Sequence, residues 1–183
     1  MNEMEIMLVG LGHEMHGDDE IGLEIINRWS EDHSERLAKG EVRIKLLESP
    51  GINLLGLIAG LDAAILVAAV HSGAPPGTIH VLKGEQLAAL DGISRKGGGW
   101  GTAQALSLGY HLAPEDLPET LILIGIEGAA FGLGEGLSPA VRAAIPDALH
   151  VIDQTLKDIT RKNNTFWQVI QQLKRIIPAF SRK

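Results

Sequence analysis

Between Gly10 and Gly22 the chain gathers most of the groups able to do chemistry: His13, Glu14, His16, Asp18, Asp19 and Glu20, set among Gly10, Gly12, Gly17 and Gly22. Imidazoles beside carboxylates suit metal ligation or proton transfer. Three familiar arrangements fail on spacing. A dinucleotide fingerprint G-x-G-x-x-G needs glycine at position 15, where Met15 stands, and three acids at a helix start repel a pyrophosphate even though Glu48 is placed to meet a ribose. The H-E-x-x-H zinc helix needs its imidazoles four residues apart, whereas His13 and His16 are three apart in a glycine-bounded loop. Asp18 and Asp19 do not make an aspartic dyad, because neighbours on a helix start point about 100° apart. What remains is an acid cluster following a strand, where open α/β sheets place their sites. Helix capping and the helix dipole explain one such acid without function; three beside two histidines go beyond it.

Composition narrows the chemistry. The 183 residues contain no cysteine, which excludes disulfides, a Cys nucleophile and thiolate metal or iron–sulfur sites, so any metal is held by N and O ligands. Ser49 and Ser138 lie in turns outside any G-x-S-x-G elbow. The acidic N-terminus Met1–Gly10 lacks the base of a signal peptide, and no stretch reaches the roughly 20 apolar residues of a membrane span; a cytoplasmic location is the expectation. The net charge of −7 hides an asymmetry: residues 1–156 carry −13 and residues 157–183 carry +6. An acidic body of this kind offers nothing to nucleic acid.

The elements that must position these groups alternate short aliphatic runs with amphipathic ones, the pattern of an α/β three-layer sandwich. A twisted, mostly parallel sheet of about five strands is expected, with helices on both faces and a C-terminal amphipathic helix. Strands are expected at Glu5–Val9, ending in a Gly10-Leu11-Gly12 turn, and at Val42–Leu47, Ala63–Val70, Thr78–Leu82 and Thr120–Ile126. The fourth either pairs antiparallel with the third or lies at an edge. Helices are expected at Asp18–Leu37, with Asp18 or Asp19 as cap, and at Asn53–Ala59 and Thr102–Leu112. Another runs from Ser138-Pro139 towards Leu156, with Ser138 as N-cap. Gly92–Gly101 reads as a mobile loop. In the tail, Phe166, Val169, Ile170, Leu173, Ile176, Ile177 and Phe180 form the stripe of a separate helix that Pro178 ends or kinks.

Four segments, taken in order, carry a family resemblance. Gly10-x-Gly12…Gly17-Asp18-Asp19-x-x-Gly22 resembles the opening signature of the hydrogenase maturation proteases, endopeptidases that trim the C-terminus of nickel-containing hydrogenase large subunits. Ala74-Pro75-Pro76-Gly77-Thr78 is similar to the family's A-P-G-T turn. Leu123-Ile124-Gly125-Ile126-Glu127 continues the match, and Gly134-Glu135-Gly136-Leu137-Ser138-Pro139-Ala140-Val141 resembles its G-x-G-L-S-P-x-V segment. Together they span residues 5–156, leaving 157–183 as a basic extension outside the resemblance.

The resemblance implies a client, the nickel-loaded large-subunit precursor, and a metal-recognition triad of acid, Asp and His, with no intrinsic cofactor. Asp19 falls on the first position. Ala68 stands where the family has Asp, Gln104 where it has His, and His13 where it usually has Asn. Ala68 offers no donor and an amide oxygen is a poor nickel ligand. His71, just past the end of the same strand as Ala68, is therefore the expected compensating ligand beside Asp19, with His13 and Gln104 facing the substrate and His16 a further candidate. No nucleophile or base is identified. His33, His80, His111 and His150, with no evident acid partner, read as structural. Two other readings stand beside the peptidase: a non-catalytic assembly module that binds the same client, and an unrelated small-molecule hydrolase on the same fold. The tail either docks on the domain, mediates self-association or client contact through residues 166–180, or lies on an anionic membrane.

Overall fold

The computed structural model describes residues 4–48, 51, 53–88 and 102–176. The chain divides into two compact units, Met1–Leu149 and His150–Lys183. In the first, strands β1 (Ile6–Gly12), β2 (Arg43–Glu48), β3 (Ala63–Val70), β4 (Ile79–Lys83) and β5 (Thr120–Glu127) form one sheet in the order β2-β1-β3-β5-β4. All neighbours are parallel except the edge strand β4, which runs antiparallel to β5. β1, β3 and β5 are central strands covered on both faces, which is why each reads as an unbroken apolar run rather than an alternating one.

On one face Met7, Val9, Leu11, Ala64, Leu66, Ala68, Leu121 and Leu123 pack with helices α3 (Asn53–Ile58), α4 (Glu85–Ala88) and α5 (Thr102–Leu112). The other face carries Leu8, Ile65, Val67, Ile122 and Ile124, the residues between them in the strand alternation. There α1 (Ile21–Asp32) lies on β1 and β3 and buries Ile21, Ile25, Ile26 and Trp29 completely. Each such side chain contributes roughly 1.5–3 kcal/mol on leaving water. The result is the three-layer α/β sandwich expected.

Several boundaries differ from expectation for identifiable reasons. β1 does not turn at Gly10 but continues to Gly12, because β2 stays in register with it as far as Gly12 opposite Glu48. The expected helix at 18–37 is three pieces: a 3-10 turn at Gly17–Glu20, α1, and α2 (Ser34–Ala38). The break falls at His33, whose N–H and Nδ1 both donate to the Trp29 carbonyl, at 3.1 and 3.0 Å, while its ring stacks on the Trp29 indole. β4 lies at the sheet edge, the second of its two expected placements, and pairs with β5 and not with β3, so the β3–β4 connection crosses the end of β5.

The final element, α6 (Pro139–Ile176), is one helix where the sequence suggested two. Its first turns bury Val141, Ala144, Ile145 and Ala148 at three- and four-residue steps. The Ser138 hydroxyl does not cap it: that oxygen is buried and makes no hydrogen bond among the described residues. The Gly92–Gly101 loop and Pro178 lie outside the described residues. No helix among the described residues is long and apolar enough to cross a membrane.

Candidate active site at the carboxyl end of the sheet

The glycines of the first motif act through contact rather than ligand binding. A Cβ on Gly12 would lie 2.0 Å from the Asp19 carbonyl oxygen, and one on Gly22 would lie 2.2 Å from that of Val67. Only glycine lets the 3-10 turn and the start of α1 lie directly on β1 and β3. Asp18 and Asp19 are thereby held at the carboxyl end of the sheet.

The two aspartates then diverge. Asp18 is fully buried and caps no helix, contrary to expectation. Its Oδ2 accepts from the N–H of Ala129 at 2.7 Å and of Ala130 at 2.9 Å, and its Oδ1 from the N–H of Ser138 at 2.6 Å. Burial alone would raise its pKa, but these donors stabilise the carboxylate and hold it below the ordinary value. The contacts are reciprocated, since the Asp18 N–H donates to the Ala130 carbonyl and that of Gly17 to Glu135. Asp18 therefore ties the 13–18 loop to the 128–138 loop. Asp19 instead directs its carboxylate at His13, with Oδ2 2.7 Å from Nδ1, and the His13 ring is about one-third exposed. His16 lies against His13, with ring centroids 5.6 Å apart, and its Nδ1 donates to the Glu14 carbonyl. Met15, between them, is 64% exposed and holds a left-handed backbone at φ +58°.

Across the site a second buried carboxylate was not anticipated. Glu127, the last residue of β5, is 1% exposed. It accepts from the Ser72 N–H at 2.8 Å, the Ser72 hydroxyl at 2.7 Å, the Gly73 N–H at 2.9 Å and His80 Nε2 at 3.2 Å. Burial again opposes ionisation, and the Ser72, Gly73 and His80 donors again outweigh it, so the pKa is lowered. His80 thus has the acid partner that its neighbours in sequence did not reveal. The available signal was Glu127 itself, a carboxylate closing a buried apolar strand, which must find donors. His33 and His111 each donate back one turn, to the Trp29 and Ser107 carbonyls.

The other predicted site residues are distributed around these two anchors. Ala68 is buried on β3, opposite Gly125 of β5, and brings no donor. His71 follows β3 at the exposed rim, with the Phe131 ring edge-on at 6.0 Å. Gln104 sits half-buried in the first turn of α5. Among the described residues no group of three or more His, Asp and Glu side chains is gathered to hold a metal ion.

An open, mostly parallel α/β sheet with carboxylates and imidazoles collected beyond the carboxyl ends of β1, β3 and β5 belongs to the class of open α/β folds, which place their sites at that edge. The family model for hydrogenase maturation protease (HycI) matches residues 36–155, and the chain belongs to that family. It is 28% identical over 161 residues to the hydrogenase 2 maturation protease of Escherichia coli (strain K12), covering 85% of this chain and 92% of that protein. Among solved structures it resembles the hydrogenase maturating endopeptidase HybD from E. coli, with a TM-score of 0.70 and 25% identity over 85% of this chain and 93% of the other. It shares the fold of the [NiFe] hydrogenase maturation protease HybD from Thermococcus kodakarensis, with a TM-score of 0.60 and 21% identity over 84% and 99% of the two chains. The chain is accordingly a peptidase.

Proposed function

We propose that this peptidase acts in the cytoplasm on a nickel-loaded hydrogenase large-subunit precursor and removes its C-terminal extension. The observation that carries this reading is the disposition of Asp19: of the two adjacent aspartates it is the one whose buried carboxylate pairs with a partly exposed imidazole, that of His13, at the carboxyl edge of the sheet. In this reading Asp19 supplies an oxygen ligand to the client's nickel, and His71 from the end of β3 supplies the nitrogen that Ala68 cannot. His13 orients Asp19 and meets the substrate, and Gln104 approaches it from α5. With no cysteine in the chain, thiolate ligands come from the client. The basic segment 157–183 is an extension of the peptidase domain in this reading, with residues 166–180 serving client contact or self-association.

The test is incubation of the chain with nickel-loaded and nickel-free precursor, followed by intact-mass measurement. Trimming of the loaded form only is the expected result. Binding of the loaded precursor without cleavage overturns the reading in favour of an assembly module.

A further inference from the structure

The sheet order creates a mechanical problem at the site. Because β5 lies between β3 and β4, the connection of residues 71–78 leaves one strand, passes over the end of another and enters a third. While it crosses, it has no strand partner, yet it begins with His71. The backbone of Glu127 fixes the far end of the crossing: its N–H donates to the Thr78 carbonyl at 2.9 Å and its carbonyl accepts from Gly77 at 2.8 Å. Its side chain fixes the near end, through Ser72 and Gly73. His80 on β4 holds the carboxylate from the other side. One residue thus grips both ends of the segment.

The same residue opens the 128–138 loop. The Gly128 N–H donates to the Val70 carbonyl at 3.0 Å, and a Cβ on Gly128 would lie 2.4 Å from the Phe131 ring, which is therefore seated directly over it. That ring stands edge-on to His71. His71 is consequently flanked on two sides, by the chain immediately following it, which Glu127 holds through Ser72 and Gly73, and by Phe131, in the loop that begins just after Glu127.

We propose that Glu127, with Ser72 as its principal donor, is a positioning residue that sets the place of the His71 imidazole at the site rim. Glu127 touches no substrate; it acts through His71. The proposal rests on the reading in which His71 engages the client, and a double-mutant cycle separates the two. Processing of nickel-loaded precursor is compared for the wild type, H71A, E127Q, H71A/E127Q and the milder S72A, each checked by thermal melting. E127Q is expected to reduce kcat/KM about tenfold, as loss of a partner that orients a ligand does, and H71A, which removes the ligand, by at least as much. H71A/E127Q is expected to be no slower than H71A alone, while the loss of melting temperature from E127Q is the same in both backgrounds. S72A, removing one hydroxyl, lowers kcat/KM in the same direction only when His71 is present. A purely structural Glu127 gives a different result: melting temperature falls, while folded E127Q and S72A process at the wild-type rate, or the losses of E127Q and H71A multiply. Either outcome overturns the proposal. An H71A variant as fast as the wild type overturns it through its premise, and a wild type that leaves the loaded precursor uncut overturns the function itself.

Discussion

The two flanks of the site solve one problem in different ways. At β1 the carboxylate that anchors the loops and the one that pairs with the partly exposed His13 are consecutive residues, Asp18 and Asp19, both buried on one short 3-10 turn. At β3 the anchor is Glu127, 55 residues beyond the Ser72 it holds, and the outward-facing group His71 is carried on a crossing segment. Both anchors use long-range hydrogen bonds, Asp18 to residues 129–138 and Glu127 to Ser72 and Gly73. The first flank depends in addition on the close packing of Gly12 and Gly22 against neighbouring backbone. Damage to the glycine packing or to the Asp18 anchor of the first should therefore be severe, whereas the second should be adjustable in steps.

The largest expected effect comes from closing the space that the first flank requires. Gly12→Ala puts a methyl group 2.0 Å from a backbone oxygen that cannot yield without moving the 3-10 turn. A loss of about 3 kcal/mol or more in urea-induced unfolding, with processing abolished, is expected. Asp18→Ala should follow closely. It leaves the N–H groups of Ala129, Ala130 and Ser138 without their acceptor, and stranded buried donors cost about 1–3 kcal/mol each before water reaches them. Equal stability of D18A and the wild type would remove the first flank from the account.

Acid should act on both flanks together. Asp18 and Glu127 have lowered folded-state pKa values, so their stabilisation is fully present above the ordinary values of 3.8 and 4.5 and is lost as pH falls through the lower folded values. Melting temperature should fall steeply below about pH 4, and less steeply in a D18N/E127Q variant, which starts lower. Parallel curves for the two proteins would contradict the assignment. The smallest effect is expected far from either flank. The Glu24–Arg28 pair on the outer face of α1, at 2.6 Å but with the arginine half-exposed, should be worth less than about 0.5 kcal/mol when Glu24→Ala breaks it.

How much of this was legible follows the same division. The central strands are buried on both faces and so appear as continuous aliphatic runs; Ala63–Val70 and Thr102–Leu112 are found at the expected residues. The first flank is written in consecutive residues, and its acids, histidines and glycines announce it. Which aspartate anchors the loops and which pairs with His13 was not legible, because the partners of Asp18 come from residues 129–138. The second flank was hidden for the same reason. His80 looks unpartnered until the sheet order brings β4 beside β5, and Glu127 looks like the end of a strand until the crossing segment is laid over it. The break at His33 depends on an imidazole stacking on Trp29, which periodicity does not encode.

The division of labour between Asp18 and Asp19 is most directly tested by Asp19→Asn, assayed for melting temperature and for trimming of nickel-loaded precursor in the same preparation. Asparagine keeps the shape of the buried Asp19 side chain and an oxygen facing His13 Nδ1, so the variant should stay folded and melt well above D18A, while leaving the precursor at its full mass. A D19N protein that trims the precursor at the wild-type rate, or that unfolds as D18A does, would contradict the account.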